Sequence, residues 1–496
     1  MKNYIDIPIF TTLRDIIDKG YTLSARQYKS LQIKNKNLYP LTYFLDRELQ
    51  RNDLGSEVGG ESYIDKSDFL FIKTKALQRE SYLLDMTDES VKYMIPQKFI
   101  NMNLKAGDLL ISKDSNVGEI VILEKDYPHA MLCGGIYKLP ITKYKYYLLA
   151  FIKSDLFRQQ IEFVVPRGAT IKHGKTKFLD CLIPLPNNNK KSVISYVELL
   201  MQAIIKKEIE IRNKYEQILL KIHSELKENQ NEEVFIFDFP TIQDIQKTGR
   251  LDSSLYTEEF KRNEFLIKNY KFGVLSLEEL GFIINRGQNL QVSCIGNSIY
   301  SDKKIEGFYK LIRPTNISKY GTVLKYEYLG NKNKLLCLKT GDIIFGAEAT
   351  FRSLVIMNVN DKVITNIHGV VLTQKNANIT EAIFVKLMLD YYLNSGLTKA
   401  YAVGGNGGSL AIIYLESIVR FPNFPETIKK EITSLYFNGS VYEPYNLNVE
   451  DFVEYDQNFN KEAGIYDLDL ALKYLQKKLK IAIESIVNDE DVKINF

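Results

Sequence analysis

Short runs of apolar residues alternate with turn-forming residues over most of the chain. Three such runs are residues 109–111, 120–122 and 363–364, each bounded by Gly, Asp, Asn or Lys. Runs this short between turn residues are typical of β-strands. Two longer stretches, residues 146–160 and 381–393, predict helices. The pattern therefore predicts a mixed α/β (α+β) fold.

The segment Lys190–Glu228 has a different pattern, because it contains neither Pro nor Gly and its apolar residues fall four and three positions apart. This spacing is typical of a coiled-coil seam. The seam residues are Val193, Val197, Leu200, Ile204, Ile211, Tyr215, Ile218 and Ile222. The phase slips once, near Lys207 and Glu208, as a stutter would. We expect one helix, about 55 Å long, whose narrow seam meets a partner helix; a long helix packed on one domain is the alternative.

The end of the chain predicts two more helices, at residues 426–437 and 468–487, and either could be the partner of the long helix. The second has its apolar residues on one side, which predicts a buried face. Those residues are Leu468, Leu472, Leu475, Leu479, Ala482 and Ile486. Between the two helices, residues 438–464 are rich in Asn, Tyr and acids and are expected to be irregular. Residues 228–233, after the long helix, predict a solvated linker.

The chain also repeats itself. The string Lys-Ala-Gly-Asp-Leu-Leu-Ile at residues 105–111 recurs as Lys-Thr-Gly-Asp-Ile-Ile-Phe at residues 339–345, an offset of 341 − 107 = 234 between the two glycines. Gly135 and Gly369 lie at the same offset. In each string, Gly is expected to supply an unusual backbone angle and Asp to bond the amides of a turn. A period this long indicates two copies of one domain.

The two copies also open and close alike. Residues 23–28 resemble residues 251–256, and the phrase Leu-Ile-Pro-Leu-Pro that ends at residue 186 matches Phe-Pro-Asn-Phe-Pro ending at residue 425. We therefore divide the chain into four segments. They are a first copy of the domain at 1–189, the long coiled-coil helix and linker at 190–230, a second copy at 231–425 and a C-terminal helical segment at 426–496.

Composition and charge exclude some classes of protein. Lys and Arg number 65 and Asp and Glu 61, so the net charge of +4 permits local basic patches without arguing for nucleic-acid binding. The four cysteines form no CxxC and only four histidines occur, so no metal site is predicted. The first residues contain no apolar core typical of a signal peptide, and no apolar run reaches the ~18 residues that a membrane helix needs, so we expect neither feature. We expect a cytoplasmic protein without a membrane partner.

Catalytic motifs are also missing from the sequence. It contains no Pro-Pro, which the adenine methyltransferase motif requires, no nucleophile elbow and no HExxH. Residues 169–176 fit a relaxed phosphate-loop pattern, so an ATP-dependent enzyme is one alternative. That mechanism needs a buried strand before the loop and a helix after it, whereas Pro166 interrupts the first and Pro184 leaves little room for the second. The basic residues of this loop suit a polyanion better.

In its layout the chain resembles the specificity (S) subunit family of type I restriction-modification enzymes. The resemblance rests on the two Lys-x-Gly-Asp strings, Gly168-Ala169-Thr170 and Gly404–Ser409, the two proline-containing closing phrases and the long helix. It implies two target recognition domains, each of which reads one half of a split site in double-stranded DNA. One departure is the interruption at residues 438–464, where the family usually has a second long helix.

The resemblance also implies partners. Helices of the family form a platform for DNA adenine methyltransferase subunits, two per specificity chain, and motor-nuclease restriction subunits join that core. The specificity chain itself would have no catalytic residue and no cofactor. A coiled-coil scaffold of a defence complex that does not read DNA is a further alternative.

Candidate DNA contacts are polar or basic residues in glycine-containing loops, because such side chains can reach phosphates and base edges. In the first copy they are Lys113, Asn116, Arg167, Lys172, His173 and Lys175. In the second copy they are Arg313, Asn316, Arg352, Asn406 and Ser409.

Overall fold

The computed structural model describes residues 3–165, 174–348, 350–358, 361–404, 408–417 and 419–496. The chain forms two compact units. Unit 1 consists of the residues up to Glu210 together with Tyr442–Lys461 and Leu468–Phe496, and unit 2 consists of Ile211–Val441 and Glu462–Asp467. Each unit contains one copy of the repeat.

The first copy has eleven strands and three α-helices among its described residues. Its strands are β1 (Ile5–Asp6), β2 (Ser30–Leu31), β3 (Leu38–Pro40), β4 (Tyr63–Ile64), β5 (Leu70–Ile72), β6 (Val91–Met94), β7 (Leu109–Ser112), β8 (Ile120–Ile122), β9 (Ala130–Leu132), β10 (Ile136–Leu139) and β11 (Leu182–Pro184). Its helices are α1 (Leu13–Asp18), α2 (Lys145–Lys153) and α3 (Asp155–Val164), and the long helix α4 (Lys190–Glu228) follows.

The second copy has ten strands among its described residues. They are β12 (Val274–Leu275), β13 (Phe282–Arg286), β14 (Ser298–Ser301), β15 (Tyr309–Leu311), β16 (Glu327–Asn331), β17 (Ile343–Gly346), β18 (Ser353–Val355), β19 (Val363–Ile364), β20 (Gly369–Gln374) and β21 (Phe421–Pro422). Its helices are α5 (Ile242–Thr248), α6 (Glu258–Lys268), α7 (Val292–Ile295), α8 (Ile379–Asn394), α9 (Leu397–Tyr401) and α10 (Ile412–Ser417). The chain ends with α11 (Glu426–Tyr436), α12 (Val449–Glu462) and α13 (Ile465–Val487).

The two larger sheets of each copy correspond in topology, apart from one added edge strand in the second copy. In the first copy one sheet has the order β4-β6-β5-β9, and in the second copy β14-β16-β15-β19. In both, the last pair of strands is parallel and the others are antiparallel. The other sheet has the order β10-β7-β8 in the first copy, and β20-β17-β18 with β13 added at one edge in the second. The repeated strings thus belong to a duplicated fold.

The repeated Lys-x-Gly-Asp turns have the predicted geometry. Gly107 has φ +82° and Gly341 has φ +88°, a left-handed conformation that a glycine adopts without steric cost. The carboxylate of Asp108 accepts a hydrogen bond from the backbone N–H of Lys105 at 2.8 Å, and that of Asp342 accepts one from Lys339 at the same distance. Each turn leads into an inner strand of its sheet, β7 or β17.

The long helix has the predicted limits, and all eight predicted seam residues are buried. The prediction of a narrow seam is wrong for its first half. There the buried residues also include Ile194, Tyr196, Met201, Ala203 and Ile205, so most of the circumference is covered. They share one apolar cluster with Tyr147 of α2 and with Leu475 and Leu479 of α13. The first half of the helix is therefore a core element of unit 1, packed against both the domain and a C-terminal helix.

Residues 438–464, expected to be irregular, contain the 14-residue helix α12. This helix reaches the stutter of α4, where the buried ammonium of Lys207 lies 2.5 Å from the carboxylate of Asp456 and 2.9 Å from the amide oxygen of Asn460. The Tyr442 hydroxyl donates to the same carboxylate at 2.7 Å. The polar composition that suggested a loop instead supplies partners for a buried lysine.

The segment after α4, expected to be a solvated linker, is paired with another segment of unit 2. The backbone N–H of Asn231 donates to the carbonyl of Asn269 at 3.0 Å, and that of Lys271 donates to Asn229, also at 3.0 Å. The amide of Gln230 donates to the Leu266 carbonyl at 2.8 Å. These bonds tie residues 229–231 to the end of α6. Among the described residues, no helix combines the length and the apolar character needed to span a membrane.

Candidate nucleic-acid interface

In the first copy, the loop between β7 and β8 is fastened to a turn that follows β5. The amide nitrogen of Asn116 donates to the carbonyls of Thr74 and Leu77, at 3.1 and 2.7 Å. Its amide oxygen accepts from the Ser112 hydroxyl at 3.3 Å. Because these bonds engage both ends of its amide, Asn116 positions the two loops relative to each other.

In the second copy Arg352 makes the corresponding link between the loop after β17 and the turn after β15. Its guanidinium donates to the carbonyl of Ile317 at 2.9 Å. Ile317 directly follows the 3₁₀ turn Pro314–Asn316, just as Leu77 directly follows the 3₁₀ turn Thr74–Ala76. Two residues predicted as DNA contacts, Asn116 and Arg352, therefore hold equivalent loops together in the two copies.

In each copy a buried lysine donates to a backbone carbonyl shortly after this turn. The ammonium of Lys153, the last residue of α2, donates to the Gln78 carbonyl at 2.6 Å, and that of Lys386 in α8 donates to the Tyr320 carbonyl at 3.1 Å. Each lysine also has a carboxylate partner: Glu119 at 3.4 Å and Asp390 at 2.6 Å, respectively. Burial lowers the pKa of Lys153 to about 8 and also lowers the pKa of Lys386.

A cation over an aromatic ring precedes the supported turn in both copies. The ammonium of Lys73 lies 5.3 Å from the ring centre of Tyr63, and the guanidinium of Arg313 lies 5.8 Å from that of Tyr300. Lys73 and Arg313 are both the residue before the 3₁₀ turn. Burial is the main cause that raises the pKa of Tyr63, so its phenol stays protonated near neutral pH.

The register of the strands makes this pair equivalent in the two copies. Tyr63 of β4 faces Met94 of β6, and Tyr300 of β14 faces Leu329 of β16. Of these four residues, Arg313 was predicted from the sequence, whereas Lys73 and both tyrosines were not. Glycine-containing loops were the criterion there, whereas these residues lie on or next to strands and pair across a sheet.

Arg313 and Asn316 share one carboxylate. The Arg313 guanidinium donates to one oxygen of Glu327 at 3.0 Å, and the Asn316 amide donates to the other at 3.2 Å. The Arg313 side chain is one-third exposed. Glu327 fixes the direction of both side chains and leaves Arg313 accessible to an anion. The structure thus brings these two predicted contacts together.

Of the remaining predicted contacts in the first copy, Lys113 and Lys175 lie close together. The backbone N–H of Gly174 donates to the Lys113 carbonyl at 2.7 Å, and Lys175 follows in an exposed position. The Lys113 ammonium pairs with Asp114 at 2.7 Å. Arg167, Lys172 and His173 lie outside the described residues.

In the second copy, Ser409 forms bridges with Glu348 and Val403, which bring its segment to the loop after β17. Its backbone N–H donates to the Val403 carbonyl at 2.8 Å. Asn406 lies outside the described residues. Each copy therefore joins the same three segments: the turn after the strand, the hairpin loop and the glycine-containing segment.

Two glycines that the sequence analysis did not select also have equivalent surroundings. A Cβ atom on Gly55 would lie 2.2 Å from the Cys133 carbonyl oxygen, and one on Gly287 would lie 2.2 Å from that of Asn366. Contacts this short exclude any side chain. Both glycines donate their N–H to the strand that pairs with β7 or β17, to Ile136 at 3.0 Å and Gly369 at 2.8 Å.

Each surface carries a partly exposed cation, and the described residues that follow Gly174 differ from those of a phosphate loop. After Thr176 the described chain forms the 3₁₀ turn Lys177–Asp180 and then β11, where a phosphate loop would continue into an α-helix. Among the described residues, no group of three or more His, Cys, Asp or Glu side chains could hold a metal ion.

Comparison with known proteins gives matches among solved structures alone. No family model matches the chain, and no curated protein matches it. The chain is similar to the S subunit of a type I restriction-modification system from M. genitalium, at 10% identity and a TM-score of 0.37, over 91% of this chain and 95% of the other. It is also similar to the HsdS subunit from Thermoanaerobacter tengcongensis, at 13% identity and a TM-score of 0.26, over 91% and 96% of the two chains.

A third match, at 12% identity and a TM-score of 0.26, is a chain from a structure described as the basis of complex assembly and conformational transition of the type I R-M system. It covers 92% of this chain and 98% of the other. These proteins belong to the same family that the sequence motifs resemble. At such TM-scores the likeness is no argument by itself, so the proposal below rests on the residues of this chain.

Proposed function

We propose that the chain is the DNA sequence-specificity subunit of a type I-like restriction-modification system. One observation carries the proposal: a duplicated domain presents the same three-segment surface twice, each time with a cation over a tyrosine at its edge. A duplicated reader suits a split DNA target, because each copy can contact one half-site. The subunit itself is non-catalytic in this proposal.

Lys73 and Arg313 are the residues that we assign to phosphate contact. Both are partly exposed and lie near an aromatic ring that limits the freedom of the cation, and Arg313 is also held by Glu327. Lys175 and the described part of its loop add positive charge in the first copy. Base contacts would come from the hairpin loops, whose positions Asn116 and Arg352 fix.

The test is DNA binding by the chain, purified with its methyltransferase, as a function of salt concentration. Each lost phosphate contact is expected to reduce the slope of log K against log salt by about 0.9. Lys73→Ala and Lys175→Ala should therefore each lower the slope, whereas Lys430→Ala, an exposed lysine of α11, should leave it unchanged. An identical slope in all three variants would contradict the proposed interface.

Two alternatives give different results in the same preparation. Nucleotide hydrolysis by the isolated chain, abolished by Lys175→Ala, would support an ATP-dependent enzyme instead. A complex that assembles but shows no preference for any DNA sequence would support a scaffold. We expect neither result.

We further propose that DNA adenine methyltransferase subunits bind this chain, two per chain, and that motor-nuclease subunits join them. Support comes from the duplication, since a partner that recognises one copy has an equivalent surface on the other. Mass measurement of the complex isolated from its native cells tests this. We expect two methyltransferases per chain; a single one would refute the stated stoichiometry.

A further inference from the structure

The second copy has a cavity of about 180 Å³ that has no function in the proposed DNA interface. It lies between β13 and the segment that leads into β17. Its apolar lining includes Ile283, Leu338 and Val371, and its polar lining includes Asp342 and Thr373. The duplicated fold allows a direct comparison with the same place in the first copy.

In the first copy this place is occupied by the side chain of Lys138. In β10, Lys138 faces Leu110 of β7, and in β20, Val371 faces Ile344 of β17. Leu110 and Ile344 are separated by the repeat offset of 344 − 110 = 234. Val371 therefore stands where the first copy has a lysine.

The contacts of Lys138 identify what the cavity lacks. Its ammonium lies 3.3 Å from the Asp108 carboxylate and donates to the carbonyls of Asn103 at 3.1 Å and Met102 at 3.5 Å. The residues 234 positions later are Asp342, Cys337 and Leu336. All three line the cavity. The second copy thus has the walls of an ammonium site, with a valine in place of the lysine that fills it in the first copy.

Asp342 has the surroundings of a carboxylate that would gain from a cation. Asp342 is only 4% exposed. It accepts the Lys339 N–H, and its side chain also bonds Thr373. Burial nevertheless raises its pKa, with the Lys339 charge only a smaller, opposing influence. The other cation in the lining, Arg286, points to the Ile367 carbonyl and lies 4.0 Å from Glu348.

We propose that this cavity binds a primary alkylammonium group. The ammonium would bond Asp342, as Lys138 bonds Asp108, and the alkyl stem would pack on Ile283, Leu338 and Val371. A neutral ligand of the same shape would leave the carboxylate without a cation. A carboxylate or phosphate ligand would be repelled by it. The proposal does not depend on the DNA role of the chain.

The test uses n-butylammonium as the probe, because it reproduces the side chain of lysine. We expect a saturable rise in the melting temperature of the full chain, and no rise with n-butanol at equal concentration. Asp342→Asn should weaken the affinity about tenfold or more, because a charge-assisted bond is lost. No saturable effect of the amine, or an equal effect in Asp342→Asn, would overturn the proposal.

Two further variants keep the test independent of a folding defect. Val371→Lys should place an ammonium against Asp342, abolish the response to n-butylammonium and raise the melting temperature without ligand. Lys138→Val in that background should open the equivalent cavity of the first copy and restore the response. A chain with both substitutions that ignores the amine would show that the lysine site was wrongly transferred between copies.

The natural source of the group is distinguished by a second pair of probes. 1,5-Diaminopentane represents free diamines, and the peptide acetyl-Gly-Lys-Gly-amide represents a lysine of a protein. Binding of the diamine alone assigns the cavity to a small amine. Binding of the peptide assigns it to a lysine side chain, and binding of neither contradicts the proposal.

Discussion

Asp108 and Asp342 occupy the same turn of the duplicated fold but meet different electrostatic surroundings. Asp108 has the ammonium of Lys138 at 3.3 Å, whereas Asp342 is buried beside a cavity. We expect Asp108→Asn to destabilise the first copy by about 1 kcal/mol through loss of the ion pair. Asp342→Asn should stabilise the second copy or leave it unchanged at pH 7. Hydrogen exchange in β7 and in β17 measures the two effects separately, and equal losses in both would contradict the expectation.

The same difference gives a pH dependence with a defined sign. The folded-state pKa of Asp342 is raised, so the folded chain holds its proton to a higher pH than the unfolded chain does. The second copy should therefore gain stability as the pH falls through that raised value. Protection of β17 against hydrogen exchange, corrected for intrinsic rate, should rise on acidification, and Asp342→Asn should remove the rise.

Single residues were the hardest part to predict from the sequence. Arg313 and Asn316 were selected and do lie together, but Lys73, Tyr63 and Tyr300 were not, because their pairing depends on strand register. Asn116 and Arg352 were selected as polar loop residues. A polar residue in a loop serves a neighbouring backbone carbonyl as readily as a ligand, and the sequence does not distinguish these uses.

Among the elements, α4 was predicted to the residue, since 39 residues without Pro or Gly and with a regular seam have few alternative structures. The elements that pack against α4 were not predicted correctly. Helix α12 was missed because its apolar residues are few and some of its polar residues are buried against another helix, as Asp456 is against Lys207 of α4. A buried lysine in a helix looks like a solvated one until its partner, some 250 positions away (456 − 207 = 249), is in place.

That ion pair supports a prediction about α12. Lys207 and Asp456 are both almost fully buried, and Lys207 is also 4.4 Å from the ring centre of Tyr442. Lys207→Ala should destabilise unit 1 by about 3–5 kcal/mol, because it leaves Asp456 buried without a cation. Combining Lys207→Met with Asp456→Leu should recover most of that loss. Urea unfolding of the variants measures it, and an additive double variant would argue against a coupled pair.

For the whole molecule, the duplication was visible in the sequence through a few landmarks at one offset, and the two sheets of each copy confirm it. The landmarks are the turns before β7 and β17, where Gly and Asp have backbone roles that other residues fill poorly. Away from the landmarks the offset is not constant, since it is 232 for Gly55 and Gly287 (287 − 55) and 240 for Lys73 and Arg313 (313 − 73). The two copies can therefore be recognised from the sequence alone. Pairing their equivalent residues requires the strand register, which only the structure provides.

Two similar surfaces on one chain lead to a prediction about how the target is divided. If each copy reads its own half-site, Lys73→Ala should affect one half of the target and Arg313→Ala the other.

DNA selected by the complex defines the target, and two further duplexes carry one scrambled half each. For Lys73→Ala, scrambling the half-site of the first copy should cost less affinity than in the parent, because contacts there are already weakened, while scrambling the other half should cost the same. Arg313→Ala should give the mirror result. If both variants respond to the same scrambled half, or to both halves equally, the copies do not read DNA independently, and the duplicated surface would have to act as a single site.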